Sequence, residues 1–593
     1  MINRISNLFS DSAKGNMPNV AGGTPSAQRI RLQGIRKQAL DTGRNRLLVT
    51  GVIFALGFLV IGARLVDLTV FEYGGEALLA ATNPRQPAVS GRANIVDRNG
   101  IILATSLPTT SLFADPGRIL DPAAAAEKLV KVMPGLKRAE IQKKLTGKGR
   151  FVWVARNLTP QQTFEINNLG IPGVGFQRGE HRVYPHGRAA SHVLGLTDVD
   201  GRGIAGVEQH FDHALRSNYS PLVLSIDLRV QAMMASELAK ATKEFRALGA
   251  AGLVMDVETG EMIAMVSLPD YDSNRPDSMQ GESGFNRVAK GVYEMGSTFK
   301  LLTIATALDT GAAGMRSRFD ASKPIEIASF SISDFHGKNR WLTLPEVLIY
   351  SSNIGAAKIA MKIGSDAQRN YLAQLGMLKK PAIEIPEIGT PLYPARWRDI
   401  NTMTIAYGHG IAVTPVQMAS AVATLVNGGM HMPVTILKYR GKKRPVGKQA
   451  LSAETSRQMR TLMRLVVRRG TGKNADVEGY LVAGKTGTAE KMVNGRYQED
   501  ALISSFVGIF PADAPRYLVF ALLDEPKGNK ETFNFATGGW VAAPLVGQII
   551  RRMAPLMGMP PSGEEMKRKP GHPLYVAAGE GKTAKRGRRV AAN

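Results

Sequence analysis

The sequence predicts an α+β fold: an antiparallel sheet flanked by helices, resting on a mixed, irregular β-rich pedestal and preceded by one N-terminal apolar helix. Three observations lead there. Strand-like runs at 252–257 and 262–267 precede a long helical block, and further runs at 480–488, 502–510 and 517–523 follow it. One uninterrupted apolar stretch, Leu47 to Ala63, lies near the N-terminus. Between 69 and 220 the pattern changes to short strands, tight turns and charged helical segments.

Residues 1–46 form a polar tail that gathers Arg29, Arg31, Arg36, Lys37, Arg44 and Arg46 before the apolar run. That run is closed by Arg64 and followed by Leu65 and Val66. It is at the short end for a spanning helix, and flanking arginines can snorkel to the interfaces. The expectation is a transmembrane signal anchor over 47–68, with the N-terminus in the cytoplasm and the rest outside, since the positive charge precedes the helix. A cleaved signal peptide fits poorly, because the charged region is too long and no clean small-residue cleavage site follows.

In the pedestal, 69–220, Ser90 to Ala104 reads as a strand, an Asn99-Gly100 turn and a second strand. Residues 121–170 read as helical and charged, and 182–185 and 195–206 as irregular β structure. Nothing there has catalytic spacing. The region 221–558 opens with a strand at 222–227 and a helix at 228–248. Its hairpin turns at Glu258-Thr259-Gly260. A helix opening at Ser297 should stop at Gly311. Residues 343–360 read as one helix, and Thr414-Pro415 as the N-cap and first turn of another that ends at Gly428-Gly429. The segment 559–593, with Lys567, Arg568, Lys569, Lys585, Arg586, Arg588 and Arg589, is expected to be a disordered basic tail.

The absence of cysteine excludes disulfides, thiolate catalysis and Cys-ligated zinc. No histidine pair has metal spacing such as H-E-x-x-H. The net charge of +26 raises the question of nucleic acid. The basic residues concentrate at the two ends without an aromatic-interleaved stripe, which argues against it, and an anionic membrane surface or cell-wall polymer would also attract such a chain.

The chemistry is expected in Tyr293-Glu294-Met295-Gly296-Ser297-Thr298-Phe299-Lys300, read with Ser351-Ser352-Asn353 and Lys485-Thr486-Gly487-Thr488. A serine and a lysine three apart project from one helix face. A hydroxyl needs an adjacent base, and Lys300 can be that base only when uncharged. Burial, a helix N-terminus or a second cation such as Lys485 would each lower its pKa. The order S-x-x-K, S-x-N, K-T-G-T points to an acyl-serine transfer site. Gly479 to Thr486 also satisfies the phosphate-loop pattern G-x-x-x-x-G-K-[ST]. Tyr480-Leu481-Val482-Ala483 looks like a buried strand, however, and Thr-Gly-Thr after the lysine opposes the helix that such a loop must open.

These motifs resemble the penicillin-binding proteins and serine β-lactamases. The stretch from Arg92 to Gly100, Arg182-Val183-Tyr184-Pro185, Tyr407-Gly408-His409-Gly410 and Ala483 to Lys491 narrow the resemblance to class B enzymes of the division-specific FtsI type. The resemblance implies a D,D-transpeptidase that needs no cofactor, metal or nucleotide. Ser297 would attack the bond between the terminal D-alanines of a peptidoglycan stem peptide, with Lys300 taking its proton. Ser351 would protonate the leaving D-Ala, and Asn353 would orient Lys300 and the peptide. Lys485, Thr486, Gly487 and Thr488 would bind the substrate carboxylate, and the Ser297 and Thr488 amides would form the oxyanion hole. β-Lactam antibiotics would acylate the same serine. An elongation-specific relative shares every one of these groups, and a D,D-carboxypeptidase, a β-lactamase-type hydrolase or an inactive penicillin binder shares the fold. His409 and His336 read as supporting or surface residues, and Glu294 as a charge at the N-terminus of the Ser297 helix. The implied partners are the membrane and a polytopic division glycosyltransferase, with Gly51, Gly57 and Gly62 allowing close helix packing. Nucleic acid is not among them.

Overall fold

The computed structural model describes residues 35–66 and 91–561, except 218–219, 328–329, 442–444 and 494–495. The features expected at 1–34, 67–90 and 562–593 lie outside the described residues. The chain divides into two units, Met1–Pro87 and Ala88–Asn593.

In the first unit one helix, Ile35–Val66, begins well before the apolar run. Residues 35–46 are therefore helical where a polar tail was expected. Side chains 48–63 are all exposed, and no helix among the described residues is long and apolar enough to cross a membrane.

The second unit contains two five-stranded sheets. In the first, Ile102–Ala114 is flanked by Val152–Leu158 and Val174–Val183, and continues through Ile95–Val96 to Leu222–Val223. The Asn99-Gly100 turn forms as expected: Asp97 Oδ1 accepts the amides of Asn99 (2.7 Å) and Ile101 (2.9 Å). The region 121–170 is not purely helical. Pro122–Val132, Arg138–Leu145 and Pro160–Asn168 are helices, but Val152–Leu158 is a strand whose Val154 and Leu158 are buried. Its alternating Val-Trp-Val pattern is short, and the charged helices on either side hide it. The segment 195–206 holds a single bridge, Thr197 to Gly203, between the short helices Ser191–Leu194 and Gly206–His210.

Arg92 and Arg182, from separate motifs, meet at Glu208, which is fully buried. Arg92 Nε donates to Glu208 Oε2 at 2.5 Å and Arg182 Nε to Oε1 at 2.7 Å; the Tyr184 hydroxyl adds a bond to Oε1 at 3.3 Å. Removing one member of such a network leaves buried charge uncompensated. Glu208→Ala is expected to destabilise the fold by about 3–5 kcal/mol. A drop in the thermal midpoint would register it; a midpoint equal to wild type would show that the two guanidiniums find other partners.

The second sheet is antiparallel, in the order Ala483–Val493, Arg496–Phe510, Tyr517–Asp524, Gly249–Asp256, Met262–Leu268. One face packs on Lys300–Asp309, Pro415–Val426 and Ala453–Arg469 through residues such as Leu253, Leu302, Val422, Leu462 and Val507. The other packs on Leu228–Glu244 and Ala542–Leu556 through Met234, Val254, Phe506, Val519 and Val546. The helix Pro415–Val426 has the expected start: Thr414 and Gln417 form a capping box, and every residue of the helix is buried. The segment 222–227 contributes only Leu222–Val223, and to the first sheet; Leu224 then bridges to Leu437. The helix after it ends at Glu244.

Candidate active site

Ser297 sits in a 3-10 turn, Gly296–Phe299, that runs directly into the helix Lys300–Asp309. Positions three apart eclipse in such a turn, so Ser297 and Lys300 face the same way more strictly than on an α-helix. Lys300 Nζ donates to Ser297 Oγ at 2.7 Å. Gly296 enters the turn with φ +49°, and a Cβ there would lie 2.2 Å from the Thr488 carbonyl oxygen and 3.3 Å from its amide nitrogen. A Cβ on Gly408, φ +84°, would in turn lie 2.2 Å from the Gly296 carbonyl oxygen. Three backbones therefore meet beside the nucleophile, and the Ser297 and Thr488 amides belong to adjoining segments.

Residues 343–360 are not one helix. Leu344–Ile349 stops, Ser351 takes a left-handed conformation (φ +58°), and Asn353–Ile363 begins anew with Ser352 as N-cap. The interruption sets Ser351 Oγ between the two lysines, accepting from Lys300 Nζ at 3.4 Å and from Lys485 Nζ at 3.0 Å. Asn353 Oδ1 accepts from Lys300 Nζ at 2.6 Å, while its amide nitrogen donates to the Ser333 carbonyl at 3.0 Å.

Lys485 lies on the strand Ala483–Val493, opposite Val507 of the neighbouring strand. Its Nζ also donates to the Thr486 carbonyl and hydroxyl, both at 3.1 Å, and the Thr486 hydroxyl pairs with that of Thr471 at 2.7 Å. Gly487 has no room for a side chain: a Cβ would lie 2.3 Å from Ser505 Oγ and 2.7 Å from the Met295 carbonyl oxygen. Thr488 Oγ1 accepts from the Gly538 amide at 3.0 Å, which ties the loop before the last helix to this strand. Because the chain continues past Lys485 as a strand, the backbone of a phosphate loop is not formed.

The electrostatics follow from burial. Lys300 and Lys485 are both fully buried. Desolvation pulls Lys300 down to about 7, opposed by the negative charge of Asp334. Lys485 is pushed well below the usual ammonium range, first by burial and then by Lys300. Two ammonium groups joined through one hydroxyl repel, so burial favours a neutral amine at this centre. His409 is held down to about 4 by burial and by the nearby Lys300. It is neutral at ordinary pH and packs between Tyr407 and Tyr497, with ring centroids at 5.3 and 5.6 Å. His336 is exposed beside Phe335.

Glu294 does not charge the helix N-terminus as expected. The reversal at Gly296 turns it toward the 407–410 loop, where Oε1 accepts from the Gly410 amide (2.9 Å) and the Tyr497 hydroxyl (3.0 Å). Burial raises its pKa. The structure thus joins Ser297, Lys300, Ser351, Asn353, Lys485 and Thr486 by hydrogen bonds, with Gly487 and Thr488 packed against the same turn. It adds Asp334, Thr471, Tyr497 and Gly538, none of which lies in a spacing that could have drawn attention to it.

Comparison with known proteins identifies the family. Residues 250–551 match the model of the penicillin-binding protein transpeptidase domain, and residues 87–222 that of the penicillin-binding protein dimerisation domain. The chain is 42 % identical over 487 residues to the probable peptidoglycan D,D-transpeptidase FtsI of Caulobacter vibrioides, covering 80 % of this chain and 82 % of that one. It is 31 % identical over 514 residues to the peptidoglycan D,D-transpeptidase FtsI of Escherichia coli, covering 80 % and 85 %. Among solved structures, the transpeptidase domain of penicillin-binding protein 3 from Burkholderia pseudomallei aligns with a TM-score of 0.52 at 33 % identity, over 57 % of this chain and 97 % of that one. Penicillin-binding protein 3 of Mycobacterium tuberculosis, solved with ampicillin, gives a TM-score of 0.64 over 82 % of this chain and 98 % of that one; at 24 % identity this likeness speaks for the fold alone. On these matches, the chain belongs to the class B penicillin-binding proteins, the family of FtsI-type peptidoglycan D,D-transpeptidases.

Proposed function

We propose that this protein cross-links peptidoglycan stem peptides in septal cell-wall synthesis through an acyl-Ser297 intermediate, and that β-lactams acylate the same serine. The observation that carries this reading is the buried Lys300 amine 2.7 Å from Ser297 Oγ. A lysine held near neutrality can accept a proton where an ordinary ammonium cannot.

In the first half-reaction neutral Lys300 takes the Ser297 proton as Oγ bonds to the carbonyl carbon between the terminal D-alanines. The oxygen that becomes negative is received by the Ser297 and Thr488 amides; removing one such donor typically costs about 3–4 kcal/mol of transition-state stabilisation. On collapse the C–N bond breaks, and the departing D-Ala nitrogen takes a proton from Ser351, which is refilled from Lys300. Asn353 holds Lys300 in place. Lys485, Thr486, Gly487 and Thr488 receive the donor's terminal carboxylate. In the second half-reaction the acceptor amine of a neighbouring strand bonds to the acyl carbon, its proton passes to the lysine centre, and Ser297 leaves as the hydroxyl.

The remaining organisation belongs to the same reading. The segment 47–68 serves as a single-pass inner-membrane anchor with the N-terminus cytoplasmic, and 69–220 as the pedestal for a periplasmic transpeptidase domain at 221–558. The apolar run and its flanking arginines support the anchor. The membrane partner in this reading is a polytopic division glycosyltransferase, with Gly51, Gly57 and Gly62 allowing close helix packing. Fluorescent penicillin is expected to label the peptide containing Ser297 stably, and Ser297→Ala to abolish the label. Label that turns over within seconds would replace the transpeptidase reading by a hydrolase; no label on folded wild-type protein would overturn both.

A further inference from the structure

Ser351 holds a backbone conformation (φ +58°) that side chains with a Cβ disfavour, and it does so between two helices. Such a conformation persists only where the surroundings over-determine it. On one side the preceding helix supplies two bonds, from the Ser351 amide to the Leu348 carbonyl at 3.2 Å and from the Ser352 amide to the Val347 carbonyl at 2.9 Å. The other side rests on one carboxylate. Asp334 Oδ1 accepts the amides of Asn353 (2.6 Å) and Ile354 (3.0 Å), and Oδ2 accepts the Ser352 hydroxyl (2.7 Å). The adjoining Ser333 carbonyl takes the Asn353 side-chain amide, as described above.

We propose that Asp334 is a positioning residue for acylation: its carboxylate clamps the Ser351–Asn353 turn so that Ser351 Oγ and Asn353 Oδ1 meet Lys300, and it supplies the negative charge opposite that amine. The inference rests on Ser297 being the acylated group.

The geometry gives the carboxylate two separable effects. As an acceptor it satisfies the first amides of the helix Asn353–Ile363, where a negative charge is also favoured by the helix dipole. As a charge it acts on Lys300. The other charged or titratable groups about Lys300 are Lys485 on the neighbouring strand and Tyr407 and His409 on the 407–410 loop, Tyr407 with its ring centroid 5.9 Å from Nζ. None of them carries a negative charge near neutrality: Lys485 is a base, the Tyr407 phenol is pushed up to about 12 and His409 is held down to about 4. Asp334 alone among these opposes the downward pull of burial on Lys300.

The test compares full-length wild type, Asp334→Asn and Asp334→Ala in their rate of acylation by fluorescent penicillin from pH 5 to 9, with thermal midpoints as the check of folding. Asp334→Asn keeps an oxygen for the two amides and loses the charge. Its acidic limb is expected to move to lower pH by about half a unit or more, because Lys300 sheds its proton more readily. The Asn/wild-type rate ratio should therefore rise as pH falls. Asp334→Ala also loses the clamp and should acylate at least about ten-fold more slowly at pH 7.5, since misplaced reacting groups are costly. A purely structural role would lower the rate without moving the limb. Parallel pH profiles for Asp334→Asn overturn the charge effect, and wild-type rates in Asp334→Ala overturn the clamp. If Asp334→Ala does not fold, Asp334→Asn decides the charge effect and Ser352→Ala, which removes the bond to Oδ2, decides the clamp, wild-type rates overturning it. Wild-type protein that labels at Ser297 while both variants match it sinks this inference alone; wild-type protein that takes no label at Ser297 sinks the proposed function with it.

Discussion

Lys300→Ala is expected to slow acylation of Ser297 by about 10²–10⁴-fold, the usual worth of a general base. The amine touches Ser297 Oγ, Ser351 Oγ and Asn353 Oδ1, so its loss removes the proton acceptor and the hub of the array together. The wild-type rate should rise with pH through about 7, the value to which burial lowers Lys300. Below that pH the amine is protonated and cannot act as a base.

Stability follows from the same shift with a defined sign. An unfolded lysine titrates near 10.4, so between about pH 7 and 10.4 the unfolded chain binds more protons and stability rises with pH. The cost of burying this amine is present in full below about 7. Lys300→Met is therefore expected to lose acylation and yet melt higher than wild type at pH 6, with the advantage shrinking toward pH 10. Stopped-flow labelling and thermal melts at the two pH values would measure both. Acylation within a few-fold of wild type in either variant would remove Lys300 from the base role.

Gly296→Ala should be nearly as damaging although it adds one methyl group. The new Cβ would stand 2.2 Å from the Thr488 carbonyl oxygen, which is backbone and cannot rotate aside. The turn would have to part from the Lys485 strand, separating Ser297 from the Thr488 amide. A shift of the order of 1 Å at reacting groups costs about 100-fold in rate, and the left-handed φ adds roughly 1–2 kcal/mol of instability. Gly311, φ +71° with nothing within 4 Å, isolates the second effect. Gly311→Ala should lose that modest stability and acylate normally. If the two variants acylate equally, the close approach of the three backbones is not what places Ser297.

Much of the catalytic half was legible because its chemistry is local or periodic. Ser297 and Lys300 share one turn, so spacing alone aligns them. The hairpin about Gly260, the Thr414–Gln417 cap and the strands at 502–510 and 517–523 are written in patterns that act over a few residues. The strand Val152–Leu158 was hidden for the converse reason: it is brief and lies among charged helices.

What the sequence by itself determined is the residues expected to react, many of the strands and helices of the catalytic region, and the family to which the chain belongs. Tertiary structure decided how the groups meet. Ser351 reads as a helical residue, and only the bonds from Asp334 on one side and the preceding helix on the other hold it left-handed between Lys300 and Lys485. Glu294 reads as a helix charge, yet the reversal at Gly296 sends it to Gly410 and Tyr497. Lys300 and Lys485 read as cations, and the proton affinity of both is lowered by a burial that no local window contains. Their proton affinity depends on the water excluded by segments that are distant along the chain. That quantity exists only once the chain has folded.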